Sequence, residues 1–383
     1  MIQINVALPN GHVELLSLPP SSKVQDLKAK AQQAFGRKHL RLITAKNRVL
    51  VDFDQTLEEA EIEDGEWLAA LVLQPQLAAT ASAFALWCHG DNAVVTWGNA
   101  RCGGYSSAVQ DQLKGVQQIQ ATHLAFAAIL EDGSVVTWGD AYSGGDSSAV
   151  RDQLKGVLQI QSTRGAVAAI LQDGSVVTWG RASDGGDSSA VRDQLNGVQQ
   201  IQAAHEAFAA ILEDGSVVTW GGASSGGDSS GVRDQLKGVQ HIQATERAFA
   251  AILEDGSVVT WGGADYGGDS SAVRDQLKGV LHIQSTRGAL AAILQDGSVV
   301  TWGNARYGGD SSAVRDQLQG VLQIKATHWA FAAILEDGSV VTWGGANNGG
   351  DSSAVRDQLK GVLQIQATHW AFAAILEDGS VVT

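Results

Sequence analysis

The sequence predicts an α+β domain over residues 1–75, followed by an all-β, propeller-like repeat domain over residues 76–383. Two observations carry this prediction. All four prolines lie within the first 75 residues, so the composition changes abruptly at Pro75. Beyond that point tryptophan recurs every 41 residues without an insertion or deletion, which is the signature of a repeat architecture. The tryptophans are Trp97, Trp138, Trp179, Trp220, Trp261, Trp302 and Trp343.

The first 75 residues show the pattern of a small mixed domain. Residues 1–8 alternate like a half-buried strand, residues 9–11 (Pro-Asn-Gly) predict a hairpin turn, and residues 12–18 predict the returning strand. A helix then begins near Ser21 or Ser22, either of which could cap it, and ends at Gly36. Its predicted buried face carries Val24, Leu27, Ala31 and Phe35. Residues 41–45 and 67–73 predict two further strands.

Three stretches of this domain, SSKVQDLKAKAQQAFG, RLITAKNRVL and TLEEAEIEDGEWLAALVL, resemble the ubiquitin (β-grasp) family in order and length. The resemblance implies an apolar patch for ubiquitin receptors, at the matching positions Leu8, Ile43 and Leu71. The chain continues through Gln74 and Pro75 without a Gly-Gly terminus, which favours an integral ubiquitin-like domain over a conjugated tag. The alternative is a small folded cap without a partner.

Each repeat contains three predicted strands, which in one copy read VLQIKA, AFAAIL and SVVTW. The last two are joined by Glu-Asp-Gly, a tight hairpin turn, and their nearly continuous apolar character indicates burial on both faces. The segment SSAVRDQLKG favours a helical turn capped by serine over a fourth, outer strand. A unit of this size cannot bury its faces alone, so the units must stack around an axis or along a solenoid.

The stretches FAAILEDGSVVTWG and GV.QI.A resemble the regulator of chromosome condensation (RCC-type) repeat over residues 78–383. The resemblance implies a propeller of about seven blades, although these units are shorter than the family's usual length. Counting the degenerate first copy, the hairpin occurs eight times and the outer segment seven times. Because Thr383 lies one residue before the next tryptophan is due, we expect the chain to be truncated at its C-terminus. The alternative is that the first hairpin completes the last blade and closes the ring.

The copies differ from one another mainly in two places, the loop after Trp-Gly and a residue pair before the AFAAIL strand. A constant framework with variable tips is typical of a binding surface, although neutral drift of exposed loops is the alternative. The predicted partner-binding residues are Arg101, Tyr142, Tyr266, Arg306, Tyr307, His328, Trp329, His369 and Trp370. Two adjacent units with exposed tryptophan would form an apolar patch.

The sequence carries no motif for catalysis, a cofactor or a metal. His123, His205, His328 and His369 share one repeat position, but other copies have Arg or Glu there, which argues against a metal ring. Formal net charge is −15, of which −13 belongs to the repeats, and this argues against non-specific nucleic-acid binding. With two cysteines, no signal peptide and no membrane-spanning stretch, we expect a cytoplasmic or nuclear protein with protein partners.

These observations predict a non-catalytic adaptor. The ubiquitin-like domain would contact ubiquitin receptors or proteasome-associated factors, while the propeller would select a partner. The first alternative is the N-terminal part of a HECT-type ubiquitin ligase, since propellers of this type occur fused to such domains. The second alternative is a guanine-nucleotide exchange factor for a small GTPase, which rests on fold-level resemblance.

Overall fold

The computed structural model describes residues 1–37, 40–50, 52–88 and 94–383. The chain divides into two compact units, Met1–Asp140 and Ala141–Thr383. The first unit contains a four-stranded sheet with one helix and then two three-stranded sheets. The second unit contains six further three-stranded sheets.

The four-stranded sheet consists of β1 (Ile2–Ala7), β2 (Val13–Leu18), β3 (Leu40–Thr44) and β4 (Trp67–Val72), in the order β2-β1-β4-β3. Strands β1 and β4 are parallel, and the other two pairs are antiparallel. The helix α1 (Val24–Phe35) lies between β2 and β3 in the chain. The four strands and the helix therefore lie where the sequence predicts them.

Helix α1 packs its predicted face into the core, since Val24, Leu27 and Ala31 are fully buried. It ends at Gly36, which has the left-handed φ of 62° expected of a C-terminal cap. The predicted serine cap is wrong. The helix begins after Lys23, whose backbone N–H donates to the Asp26 carboxylate at 3.1 Å, so an acidic side chain in the first turn does the capping.

Two three-stranded sheets complete the first unit. The first comprises β5 (Pro75–Ala79), β6 (Ala83–Cys88) and β7 (Val94–Gly98), and residues 89–93 lie outside the described residues. The second comprises β8 (Val116–Ala121), β9 (Ala125–Leu130) and β10 (Val135–Gly139). Strand β5 was not predicted. It gives the first hairpin a third strand of its own, so the alternative in which that hairpin completes the last sheet is wrong.

The six sheets of the second unit are antiparallel meanders of three strands each, taken in chain order. Their bounds are β11 Val157–Ser162, β12 Ala166–Leu171, β13 Val176–Gly180, β14 Val198–Ala203, β15 Ala207–Leu212, β16 Val217–Gly221, β17 Val239–Ala244, β18 Ala248–Leu253, β19 Val258–Gly262, β20 Val280–Ser285, β21 Ala289–Leu294, β22 Val299–Gly303, β23 Val321–Ala326, β24 Ala330–Leu335, β25 Val340–Gly344, β26 Val362–Ala367, β27 Phe372–Leu376 and β28 Val381–Val382.

Short 3-10 helices fill the connections between sheets. One follows each Trp-Gly, at Ala100–Cys102, Ala141–Ser143, Ala182–Asp184, Ala223–Ser225, Ala264–Tyr266, Ala305–Tyr307 and Ala346–Asn348. The other is the predicted helical turn, at Gln110–Gln112, Ser148–Gln153, Ser189–Gln194, Arg233–Gln235, Arg274–Gln276, Ser312–Gln317 and Arg356–Gln358. Serine does not cap it. In the three six-residue helices an aspartate accepts the N–H of the first helical residue, as where the Asp146 carboxylate accepts the N–H of Ser148 at 2.9 Å.

The described residues hold eight three-stranded sheets, which corrects the prediction of about seven blades. Within the second unit each sheet packs on the next one along the chain. In its penultimate sheet Ile334 and Val340 are buried, whereas the equivalent Ile375 and Val381 of its last sheet are 36% and 59% exposed. That last face is therefore uncovered, and no ring closes within the second unit.

Neighbouring sheets interlock through glycine, phenylalanine and tryptophan. Gly226 has a φ of +92°, and a Cβ there would lie 2.5 Å from the Phe249 ring of the following sheet. The Trp261 ring stacks on Phe249, with centroids 5.3 Å apart, and its indole N–H donates to the Gly226 carbonyl at 3.0 Å. Six of the repeat tryptophans are buried in this way, whereas Trp97 is 43% exposed. The same 3.0 Å indole bond joins Trp138 to Gly103, Trp179 to Gly144, Trp220 to Gly185, Trp302 to Gly267 and Trp343 to Gly308.

Candidate binding surface

The two variable sets of residues lie against each other in the second unit. Trp329, from a pair before a central strand, stacks on Tyr307 of the preceding Trp-Gly loop, with ring centroids 4.4 Å apart. Arg247, from another such pair, lies over the Tyr266 ring at 5.4 Å from its centroid. The two sets therefore form one surface, which we call the variable surface.

A threonine that is present in every copy except the one with Ala204 holds the two sets together. The Thr245 side chain donates to the carbonyl of Tyr266 at 2.9 Å, and it also accepts the backbone N–H of Ala248 at 3.0 Å. Thr286 makes the same bond to the carbonyl of Tyr307 at 2.9 Å. Each buried threonine thus ties the 3-10 helix after Trp-Gly to the start of the central strand. These hydrogen bonds therefore fix the backbone that carries the variable side chains.

In the second unit the first residues of the variable pairs form a backbone ladder. The N–H of one residue donates to the carbonyl of the residue 41 positions later, over 2.9 to 3.2 Å. Backbone bonds of this kind place equivalent residues about 4.8 Å apart, as in neighbouring β-strands. Side chains from successive units therefore form a column. The ladder runs through Arg164, His205, Glu246, Arg287, His328 and His369.

An ionic cluster occupies the middle of this column. The Glu246 side chain is 11% exposed; Arg287 Nε donates to its carboxylate, and Arg287 Nη2 does so at 3.1 Å. Burial opposes ionisation of Glu246, but the hydrogen bonds and charge of Arg287 outweigh burial and hold the pKa of the carboxyl below its usual value. His205 Nδ1 lies 3.8 Å from the same carboxylate. Burial nevertheless lowers the pKa of His205, which favours a neutral imidazole.

Two histidines follow the cluster in the same column. The rings of His328 and His369 lie 4.1 Å apart at a tilt of 45°. Burial, and then the neighbouring His369 and Arg287, lower the pKa of His328. Two imidazoles supply only half of a tetrahedral zinc site. No group of three or more His, Cys, Asp or Glu suited to a metal occurs among the residues that the structure describes.

An aromatic row runs beside the column and consists of Tyr266, Tyr307, Trp329 and Trp370. The first three side chains are half-buried, and Trp370 is 58% exposed. The Trp329 and Trp370 rings are nearly parallel, with centroids 6.4 Å apart. The row therefore places four large rings from successive units on one accessible surface, and aromatic residues of this kind dominate the energetics of many interfaces.

The remaining predicted partner-binding residues lie apart from these contacts. Arg306, just before Tyr307, is exposed. Tyr142 is 81% exposed at the start of the second unit, three units before Tyr266 in the chain. Arg101 is exposed in the first unit.

The predicted apolar patch of the N-terminal domain needs a correction. Leu8 is 8% exposed and belongs to the hydrophobic core, so it is not available to a receptor. Ile43 on β3 is half-buried and Leu71 on β4 is exposed. Arg41, which pairs with Leu71 across the sheet, lies 3.6 Å from the Glu131 carboxylate of the second three-stranded sheet. Exposed ion pairs contribute little to stability, so this contact holds the two sheets together only weakly.

One residue of the variable surface gives little signal in the sequence, because it has no side chain. Gly288, the second residue of a variable pair, lies between the rings of Tyr266 and Tyr307. The available signal was that this position is glycine in only two copies, at Gly165 and Gly288, while the other copies carry Leu, Glu, Arg or Trp. The structure also exposes leucines on the first strands of three successive sheets, at Leu281, Leu322 and Leu363.

Comparison with known proteins gives matches at the level of structure. No family model and no curated protein matches the chain. The computationally designed protein Ika8 is 14% identical, covers 80% of this chain and 93% of its own, and has a TM-score of 0.37. Prp20p of Saccharomyces cerevisiae, the yeast RCC1, whose binding to Gsp1p and histones is described, is 16% identical over 71% of this chain and 82% of its own, with a TM-score of 0.41.

Ubiquitin from Caldiarchaeum subterraneum also matches, at 21% identity over 18% of this chain and 91% of its own, with a TM-score of 0.17. TM-scores this low assign neither a family nor a function to the chain. Among the described residues, no helix is both long and apolar enough to cross a membrane.

Replacing Glu246 by glutamine tests the ionic cluster. The Glu246 charge raises the pKa of His205 against the opposing effect of burial. We therefore expect Glu246→Gln to move the pKa of His205 further down, so that the imidazole stays neutral to a lower pH. An NMR titration of the His205 ring in the full chain measures this shift. Glu254→Gln, a charge-matched control on the hairpin turn of the same unit, should leave it unchanged. A rise in the pKa, or an equal shift in the control, would contradict the cluster.

Proposed function

We propose that the chain is a non-catalytic protein-interaction scaffold whose repeats bind a partner through the variable surface. The observation that carries this proposal is the aromatic row, four rings held in adjacent units on an otherwise constant framework. Tryptophan and tyrosine combine a large contact area with few rotatable bonds, and for this reason they are over-represented among residues that dominate binding energy.

The charges around the row support a protein partner. Arg247 lies over Tyr266, and Arg287 bonds to Glu246 in the column. Arg306 and Asp265 precede tyrosines of the row in the chain, so the surface is mixed in sign. The repeats as a whole carry a net charge of −13. The acidic repeats would repel a uniformly charged polyanion. A polypeptide, which presents both polar and apolar groups, suits a surface of mixed charge.

Removing two rings tests the role of the row. We expect the double variant Trp329→Ala/Trp370→Ala to lose partner binding by more than tenfold, because truncating a single aromatic anchor costs about 2–4 kcal/mol. Proteins retained by the immobilised full chain are quantified by mass spectrometry, and the affinity of the main one is then measured by calorimetry.

The matched control is Leu322→Ala/Leu363→Ala, which removes exposed apolar side chains from the first strands of the same two units. This variant should bind like the unmodified chain. Equal losses in the two double variants would show that exposed apolar area in general, and not the aromatic row, is responsible. Retention of full affinity in the tryptophan variant would reject the proposal.

The proposal extends to the N-terminal domain, which we infer to be a ubiquitin-like domain that docks on ubiquitin receptors or proteasome-associated factors. The order β2-β1-β4-β3 with one packed helix supports this inference. Ile43 and Leu71 project from the outward face of β3 and β4, opposite the buried residues of those strands. Since Leu8 is in the core, Ile43 and Leu71 form the docking patch, and adjacent Ala69 extends it.

Calorimetry of the full chain with a ubiquitin-interacting helical peptide tests this part. We expect Ile43→Ala/Leu71→Ala to weaken binding at least tenfold, since two apolar contacts are lost. Leu15→Ala removes a 55% exposed leucine from β2 and serves as the control that should bind normally. Absence of binding by the unmodified chain, or equal binding by all three proteins, would refute the docking role without affecting the repeat surface.

A further inference from the structure

The outward face of the N-terminal sheet carries an exposed tryptophan beyond the docking patch of Ile43, Ala69 and Leu71. Trp67 is 53% exposed. It alternates along β4 with Ala69 and Leu71, so the three side chains project from the same face of the sheet. Residues four positions apart in a strand lie about 13 Å from each other. The apolar surface therefore extends past the patch, towards the start of β4.

The two ends of this surface have different surroundings. Arg41 of β3 pairs with Leu71, and its guanidinium lies 3.6 Å from the Glu131 carboxylate of the second three-stranded sheet. That sheet therefore borders the surface at the Leu71 end. At the other end Trp67 pairs in register with Asn5 of β1 and its ring is exposed. A ligand that contacts Leu71 therefore has room to extend along β4 towards Trp67.

The segment that leads into β4 is acidic, since four of residues 61–66 are aspartate or glutamate. The Asp64 carboxylate accepts the N–H of Gln3 at 2.7 Å, and the Glu66 carboxylate accepts the N–H of Glu63 at 3.1 Å. These bonds hold two carboxylates at the start of the strand without neutralising their charge. This end of the surface is therefore apolar with a negatively charged border.

We propose that Trp67 and the acidic segment select a basic amphipathic helix of the partner protein. Such a helix presents apolar side chains on one face, and eight residues of it span about 12 Å, close to the length of strand from Leu71 to Trp67. A lysine or arginine on the flank of the helix then lies near Asp64 and Glu66, whose charges attract it. The face of the indole attracts the same cation. A nucleic acid would be repelled by these carboxylates.

This inference rests on the proposed docking role of the N-terminal domain, and β2 supplies an internal comparison for it. Leu15 is about as exposed as Trp67. Asn5 pairs with both residues, so Leu15 lies two strands away from Trp67, about 10 Å across the sheet. A helix that follows β4 from Leu71 to Trp67 therefore leaves Leu15 outside the contact.

Calorimetry of the full chain with two synthetic peptides tests the selection. Both are alanine-based helices of about 16 residues with leucines four residues apart. One carries lysines beside the last leucine, and the other carries glutamates there. We expect the lysine peptide to bind at least tenfold more tightly. Trp67→Ala should weaken its binding at least tenfold, Trp67→Phe should retain most of it, and Leu15→Ala should leave it unchanged. Thermal unfolding verifies that each variant is folded.

Two charge variants separate the acidic segment from the overall charge of the domain. Asp64→Asn/Glu66→Gln keeps the hydrogen-bond acceptors and removes two charges, so the two peptides should then bind within about threefold of each other. Asp52→Asn/Asp54→Asn removes the same charge next to the start of α1, where the Asp54 carboxylate lies 3.0 Å from Lys23 Nζ. This control should keep the preference for the lysine peptide.

Full affinity of Trp67→Ala, equal binding of the two peptides by the unmodified chain, or equal effects of the two charge variants would overturn the inference. So would failure of the unmodified chain to bind either peptide. None of these results decides the docking role itself, which is tested by the ubiquitin-interacting peptide and Ile43→Ala/Leu71→Ala. Failure of the selection and failure of the docking role are therefore distinguishable.

Discussion

The repeat domain depends on a ring that lies directly on a glycine. In the Gly226 contact the ring of Phe249 occupies the place that any side chain would need, and the indole of Trp261 bonds the carbonyl of the same glycine. Only glycine satisfies both the left-handed backbone and the close approach. Because the contact combines burial, stacking and a hydrogen bond, it fixes how one sheet is placed on the next. The ring contact recurs at Gly103, Gly185, Gly308 and Gly349, whereas Leu290 takes the place of the ring over Gly267.

This fixed stacking separates the residues that hold the fold from those available for binding. The central strands are buried on both faces, and the buried threonines and indoles are bonded to backbone carbonyls. The residues between these anchors differ most among the copies. The backbone ladder places equivalent residues of successive units about one strand spacing apart. Variable residues that are distant in the sequence therefore lie together on one surface. The ionic cluster and the aromatic row arise in this way.

The sequence was sufficient for features set by local patterns. Strand periodicity, the Glu-Asp-Gly turns and the 41-residue tryptophan spacing predicted the elements correctly, because they depend on neighbours in the chain. Features set by packing across units were not accessible. Strand β5 lacks a strong alternating pattern, and Leu8 is drawn into a core that the sequence does not show. At helix α1 and at three of the 3-10 helices, aspartate and not serine accepts the terminal backbone N–H. The variable positions are evident from a comparison of the copies. Their assembly into one surface depends on hydrogen bonds from threonine side chains, which the spacing of residues in the sequence does not reveal.

The account is tested most directly by comparing two glycine substitutions in the same unit. Gly226→Ala introduces a Cβ 2.5 Å from the Phe249 ring at a left-handed backbone, whereas Gly231→Ala introduces one with nothing within 4 Å. Other copies carry alanine at the position of Gly231. Denaturant unfolding of the full chain should show that Gly226→Ala loses about 2–4 kcal/mol and that Gly231→Ala is neutral or slightly stabilising. Equal stability of the two variants would contradict the claim that the ring-on-glycine contact holds the repeats together.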